Sequence, residues 1–157
     1  DNPDLYENLT GIQHLNFVSD AFGISEEVRK QRIENYAARF EISDALPDLI
    51  SSYSHGMKQK VAIISALIHE PKLLVLDEPF VGLDPKASFI LKEIMHEMCE
   101  NGSAVFFSTH VLDVAEKLCN KIAIIKRGTI IANGTMEELL GENQSLEDVF
   151  MEAVKDE

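Results

Sequence analysis

The sequence predicts an α/β fold, and three observations support that prediction. Two short apolar runs, at residues 73–76 and 104–107, alternate with amphipathic segments at 86–100 and 111–120. Short runs of this kind are typical of strands in a parallel sheet that helices cover. Helical periodicity precedes the first run, and a strand pair follows the segment at 111–120. We therefore expect an α-helical subdomain before the parallel strands and a β-hairpin after them.

Two start signals predict the helices of the first part of the chain. Thr10 and Gln13 form a capping box ahead of apolar residues at helical spacing, which predicts a helix over 11–22. Ser25 precedes two glutamates, whose charge suits the positive end of a helix dipole, and predicts a helix over 26–40. The connection that follows contains Pro47 and several turn-forming residues, so we expect it to be irregular.

Apolar patterning and turn residues define the remaining elements. A broad apolar stripe predicts a largely buried helix over 58–70, which ends before Pro71. Arg127 and Gly128 separate two strand-like segments and predict the hairpin turn. The elements expected after the buried helix are strands at 73–76 and 104–108, helices at 86–100 and 111–120, hairpin strands at 121–126 and 129–133, and short helices at 136–140 and 146–153.

Charge and composition limit the possible functions. The 157 residues include 14 Lys and Arg against 27 Asp and Glu, for a net charge of −13. An acidic chain without a basic stripe disfavours nucleic acid as a partner, because phosphates are repelled. No apolar run approaches the roughly 20 residues of a membrane-spanning helix. Cys99 and Cys119 form no metal or disulfide pattern, which favours a reducing, cytoplasmic setting.

Asp77 and Glu78 follow the first predicted strand directly. Ligands of open α/β sheets bind outside the carboxyl ends of strands, so this pair is placed for chemistry on a phosphate. Asp77 can hold Mg²⁺ on a nucleotide, and Glu78 can polarise the water that attacks the terminal phosphate. The alternative is that Asp-Glu-Pro only starts a turn.

Two further candidates lie at other element ends. His110 follows the second strand and can donate a hydrogen bond to a γ-phosphate oxygen, although a helix-capping role is the alternative. Ser54 and Gly56 open the buried helix, where backbone N–H groups and a hydroxyl favour an anion. The alternative for Ser54 is ordinary N-capping.

In this order, the motifs resemble those of the nucleotide-binding subunits of ATP-binding cassette (ABC) transporters. Residues 53–57 resemble the signature sequence, 73–78 the Walker B strand, 81–84 the D-loop and 108–110 the switch-histidine loop. The resemblance implies the P-loop NTPase (ABC ATPase) fold, with ATP and Mg²⁺ as cofactors. The resemblance implies that Asp77 holds Mg²⁺ through water, that Glu78 is the general base and that His110 contacts the γ-phosphate. It also implies a dimer interface at which one subunit contacts ATP of the opposite subunit. The residues at this interface would be Ser54, His55, Gly56 and Met57, which contact the ATP, and Asp84.

The signature differs from the common L-S-G-G-Q form at Tyr53, His55 and Met57. This variant, together with residues 145–150, is similar to ATPases of ABC-2-type exporters. No G-x-x-x-x-G-K-[ST] phosphate loop occurs in the chain. We therefore expect the C-terminal part of a larger ATPase, inactive by itself, with a helical signature subdomain at 1–57, the distal half of the core at 58–136 and a helical tail at 137–157.

The resemblance implies a transport ATPase that couples ATP hydrolysis to export. Its implied partners are a second ATP-binding subunit and transmembrane permease subunits, without nucleic acid, at the cytoplasmic face of the cell membrane. Two alternatives stay open. The chain can be a catalytically silent module that docks on membrane partners, or part of a soluble ABC ATPase that acts outside transport.

Overall fold

The computed structural model describes residues 4–140 and 145–155, and the chain forms two compact units, Asp1–Phe107 and Ser108–Glu157. The elements up to the boundary are α1 Gly11–Ala21, α2 Glu26–Arg39, 3-10 turns Ser43–Ala45 and Ile50–Ser52, α3 His55–Leu67, β1 Leu73–Asp77, α4 Pro85–Glu100 and β2 Ala104–Ser108. The elements that follow are α5 Leu112–Leu118, β3 Lys121–Lys126, β4 Thr129–Thr135, α6 Met136–Leu139 and α7 Leu146–Lys155. The order and type of the predicted helices and strands are confirmed.

Side-chain caps start the first two helices, as predicted. The Thr10 hydroxyl accepts a hydrogen bond from the Gln13 N–H at 3.2 Å, and the Gln13 side chain accepts one from the Thr10 N–H at 2.9 Å. The Ser25 hydroxyl accepts from the Val28 N–H at 3.4 Å. These bonds satisfy N–H groups that have no partner within the helix.

Helix α3 contributes one side of the core of the first unit. Its apolar stripe is buried, as the pattern predicts, and α1 and α2 both pack on it. The helix begins at His55, three residues earlier than expected, because Ser54 caps it. The largest fully buried apolar side chains of this unit include Leu15, Phe40, Ile50, Val61, Ile64, Leu67, Ile68, Leu91 and Ile94.

Strands β1 and β2 pair in a two-stranded sheet. The Ala104 N–H donates to the Lys72 carbonyl at 2.8 Å, so the strands begin side by side and run in the same direction. The expectation that helices cover both faces is wrong for the described residues. Leu74 is buried, but Leu73 and Val75 are exposed, since successive side chains of a strand point to opposite faces.

The second unit contains the predicted hairpin. Strands β3 and β4 are antiparallel, with a register shift between Ile124 and Ile125. Arg127 and Gly128 have φ values of 50° and 79°, the pair of positive angles that a type I′ turn requires. Helix α7 packs on α5, and the Leu146 N–H donates to the Glu116 carboxylate at 3.0 Å. None of the helices in the described part of the chain combines the length and the apolar composition that a bilayer span requires.

Candidate functional site

Glu78 lies at a sharp backbone turn directly after β1. Asp77, the last residue of the strand, is exposed, and Glu78 is half-buried. Glu78 has a φ of 44°, in the left-handed region that non-glycine residues seldom adopt. Strained backbone of this kind is retained where the surrounding structure holds it, often at functional sites. Pro79, which is fully buried, anchors the chain immediately afterwards.

Two turn hydrogen bonds shape residues 78–84, which we call the acidic loop. The Val81 N–H donates to the Glu78 carbonyl at 3.1 Å, and the Leu83 N–H donates to the Phe80 carbonyl at 3.3 Å. The loop ends at Asp84, whose carboxylate accepts from the Ala87 N–H at 2.8 Å and caps α4. The loop is therefore defined from Glu78 through to the start of the next helix.

The N-terminal turn of α3 combines an anchored residue with exposed ones. Tyr53 is only 6% exposed, and its hydroxyl donates to the Ala45 carbonyl at 2.5 Å. Ser54 and His55 are exposed, and the Ser54 hydroxyl accepts from the Met57 N–H at 3.3 Å. Ser54 thus has the capping role that the sequence left open. A helix N-terminus also favours an anion, so its predicted role toward a phosphate stays a prediction.

The acidic loop and the N-terminal turn of α3 meet at two glycines. A Cβ atom placed on Gly56 would lie 2.9 Å from the Gly82 carbonyl oxygen, so the two backbones approach closely. A Cβ on Gly82 would lie 2.5 Å and 2.6 Å from Cδ2 and Nε2 of His55. The structure therefore brings together Ser54, His55, Gly56 and the acidic loop within one unit.

An ion pair joins the same two segments. Lys60 Nζ lies 2.8 Å from a carboxylate oxygen of Asp84, and the lysine side chain is only 15% exposed. The hydrogen bond from Lys60, followed by that from the Ala87 N–H, holds the pKa of Asp84 below its usual value. Asp84 therefore uses both carboxylate oxygens within its own chain.

His110 lies in the second unit and is exposed. It precedes α5, whose N-cap Val111 makes no side-chain capping bond, while the Val111 N–H donates to the Thr109 hydroxyl at 3.1 Å. The predicted contact of His110 with a γ-phosphate stays a prediction.

The donor chemistry of Asp77 fits Mg²⁺. This ion is usually held by one or two carboxylates, with substrate phosphates and waters supplying the other oxygens. An exposed carboxylate at a strand end can supply one such ligand. Within residues 4–140 and 145–155, no group of three or more His, Cys, Asp or Glu side chains is arranged to hold a metal alone.

Sequence reasoning does not identify Lys60, and it places Gly82 in residues 81–84 without its contact with His55. Lys60 is one of several lysines in the sequence, and its partner lies 24 positions further along, beyond a helix, a strand and a turn. Gly82 carries the weak signal of a glycine in a turn, and its φ of 80° agrees with that signal. Its approach to His55 depends on tertiary packing.

Comparison with known proteins places this chain in a family. Residues 1–112 match the family model described as "AAA domain, putative AbiEii toxin, Type IV TA system". The chain is 37% identical over 161 residues to the ABC-type transporter ATP-binding protein EcsA of Bacillus subtilis, covering 100% of this chain and 65% of EcsA. It is 34% identical over 159 residues to the uncharacterized ABC transporter ATP-binding protein YthP of the same species, covering 99% of this chain and 67% of YthP.

A solved structure supports the same assignment. It is described as an ATP-binding subunit of an ABC transporter and superimposes with a TM-score of 0.94 at 36% identity, covering 99% of this chain and 66% of that one. The chain thus spans just under two thirds of EcsA and of this structure. Because these similarities extend along nearly the whole chain, it belongs to the family of ABC transporter ATP-binding proteins and has their P-loop NTPase fold.

Proposed function

We propose that this chain is part of an ATP-hydrolysing subunit that drives export through an ABC transporter. The observation that carries the proposal is the close approach of the N-terminal turn of α3 to the acidic loop. The first segment offers backbone N–H groups that suit a phosphate, and the second begins at the carboxylate suited to activating water. Their contact joins the segment proposed to face ATP to the loop that carries the proposed base.

The proposed chemistry divides between three side chains. Asp77 holds Mg²⁺ through water, and the bound ion neutralises charge on the phosphates. Glu78 accepts a proton from the attacking water. The half-buried position of Glu78 limits the access of other water molecules to its carboxylate. His110 donates a hydrogen bond to a γ-phosphate oxygen.

The nucleotide in this proposal is shared between two subunits. Ser54, His55, Gly56 and Met57 of one subunit, with Asp84 at the same interface, face ATP that the opposite subunit holds by its phosphate loop. Since the present sequence contains no such loop, we expect the 157-residue chain alone to bind ATP poorly and to be inactive. Micromolar affinity of the isolated chain for Mg-ATP, measured by calorimetry, would contradict this.

The assignment of Glu78 is tested by Glu78→Gln in the full-length protein. The amide preserves shape but accepts no proton, so turnover of ATP should fall by roughly 10²- to 10⁴-fold, the usual share of general acid–base catalysis. ATP binding should survive, and the variant should dimerise more stably in Mg-ATP. Glu34→Gln, at an exposed position on α2, is the matched control and should keep normal turnover. Near-normal turnover of Glu78→Gln would remove Glu78 from the role of base.

We further propose that a helix of a permease subunit docks on the first unit, which places the protein at the cytoplasmic face of the membrane. The supporting feature is a cavity of about 500 Å³ lined by residues 5–9 and Phe17. Tyr6 and Phe17 meet edge to face at 5.2 Å and are 58% and 50% exposed, so apolar ring surface is available to an apolar helix.

The docking proposal is tested by Phe17→Ser in the complex with the permease. Capture of the permease should weaken at least tenfold, while ATP turnover by the free subunit stays within twofold of normal. Phe22→Ser, at the C-cap of the same helix and 57% exposed, lies outside the cavity and serves as the control. Equal capture by the Phe17→Ser and unmodified proteins would place the permease elsewhere.

A further inference from the structure

His55 contacts the acidic loop of its own chain. Its ring lies over Gly82, so that Cδ2 and Nε2 occupy the space into which any side chain at position 82 would project. Gly82 has a φ of 80°, a conformation suited to glycine. The ring and the glycine are therefore matched in shape at this contact.

The contact lies in the middle of a loop that is fixed at both ends. At one end the Val81 N–H donates to the Glu78 carbonyl, and at the other Lys60 pairs with Asp84. Between them, Gly82 meets the first turn of α3 through the His55 ring and through the backbone of Gly56. A displacement at Gly82 acts on Val81 and hence on the carbonyl of Glu78.

We propose that His55 is a positioning residue, which acts through Gly82 to hold the turn that orients the Glu78 carboxylate. The inference rests on the proposed function, in which Glu78 is the general base. A general base must lie within hydrogen-bond reach of its water, and a misplacement of about 1 Å can lower a rate by about 10²-fold. Packing by the ring, rather than a hydrogen bond from its nitrogens, is the property that this role needs.

The first test compares steady-state ATP hydrolysis by the full-length protein with that of His55→Ala and His55→Phe. His55→Ala, measured at saturating ATP so that the proposed contact of His55 with ATP does not limit the rate, should lower kcat by roughly 10- to 10²-fold, in line with the cost of misplacement. His55→Phe restores a planar ring without nitrogens and should recover kcat to within about threefold. A raised KM with normal kcat, or failure of phenylalanine to recover kcat, overturns the positioning role.

The second test probes the contact from the side of the loop. Gly82→Ala should lower kcat, because the added methyl group would meet the His55 ring. Gly102→Ala is the control, since Gly102 has a similar φ of 83° but no atom lies within 4 Å of its added methyl group. We expect this control to keep its kcat. In the double variant His55→Ala with Gly82→Ala, the combined loss should be smaller than the product of the two single losses. If the loss of kcat in the double variant equals the product of the two single losses, the two residues act independently, and their contact does not explain the effect.

Glu78→Gln, assayed alongside, separates this inference from the proposed function. A loss of turnover in Glu78→Gln with none in His55→Ala overturns only the positioning role. Unchanged turnover in both variants overturns the base assignment and the positioning role together. A loss in His55→Ala with normal turnover in Glu78→Gln also overturns both, because the proposed route ends at Glu78.

Discussion

Replacing Tyr53 with phenylalanine tests how the residue before the α3 cap is anchored. The ring is almost fully buried, and phenylalanine retains its packing. The change removes the hydrogen bond to the Ala45 carbonyl, which keeps a second bond from the Asp48 N–H at 2.9 Å. It also removes a contact of the hydroxyl with the Gly11 N–H, which still donates to the Asp48 carbonyl at 3.2 Å. No buried group is orphaned, so the free energy of unfolding should fall by the net value of one hydrogen bond, about 0.5–1.5 kcal/mol. In a protein of 150–250 residues, this corresponds to a decrease in Tm of roughly 1–6 °C.

Gly11 provides an independent measure of the same anchor. A methyl group at Gly11 would collide with the Tyr53 hydroxyl and would lie 3.1 Å and 3.3 Å from Cδ2 and Cα of Leu46. Gly11→Ala should therefore destabilise the protein by about 1–3 kcal/mol, the usual cost of overpacking. In the Tyr53→Phe background the cost should be smaller, since the hydroxyl is gone and the neighbouring leucine contacts are less close.

Urea unfolding of the four proteins, followed by circular dichroism, gives the coupling free energy directly. Equal costs of Gly11→Ala in the two backgrounds would refute the proposed contact with the hydroxyl. A loss above about 3 kcal/mol for Tyr53→Phe alone would show that the hydroxyl satisfies more than one buried group.

Two pH-dependent outcomes follow from the remaining charges. The Lys60 hydrogen bond lowers the pKa of Asp84, so the stabilisation from this ion pair is present at neutral pH and is lost as the pH falls from about 3.8 through the lower folded pKa. Asp84→Asn should therefore lower the free energy of unfolding by less than about 1 kcal/mol near pH 7 and should have no effect below that range. Urea unfolding at each pH measures both values. Burial lowers the pKa of His14 below 6.5, so the unfolded state takes up a proton more readily and the free energy of unfolding should fall as the pH drops below about 6.5. His14→Leu should flatten this pH dependence. If the free energy of unfolding has the same slope against pH in both proteins, another group is responsible.

Local signals made most of the secondary structure predictable. Thr10 and Ser25 start helices because each side-chain oxygen bonds an N–H within three residues, a relation visible in the sequence. Arg127 and Gly128 define the hairpin turn through their own backbone angles. Ser54 shows the limit of this reasoning, since the sequence offers capping as one role for it but predicts a helix that begins three residues later than the observed start at His55.

Long-range packing explains what the sequence did not reveal. The apolar character of residues 73–76 indicates a strand but does not indicate whether one face of the strand or both are buried. In the described part of the chain, Leu73 and Val75 are exposed. The candidate chemistry was predicted residue by residue, whereas the contact of His55 with Gly82 and the pair of Lys60 with Asp84 depend on how α3 packs beside the acidic loop. No local spacing encodes such contacts.

The positive φ of Glu78 also determines which replacements can report on its chemistry. β-branched residues are strongly disfavoured in this backbone region, so a valine or threonine variant would lose activity through a reshaped turn as well as through the missing carboxylate. Asparagine and glycine are accommodated by the backbone but shorten or remove the side chain. In a saturation library at this position, retention of the fold should follow tolerance of the left-handed conformation, and turnover should follow the presence and reach of a carboxylate. Glu78→Asp keeps the charge and is accepted by the backbone, so its turnover measures how much the length of the side chain contributes.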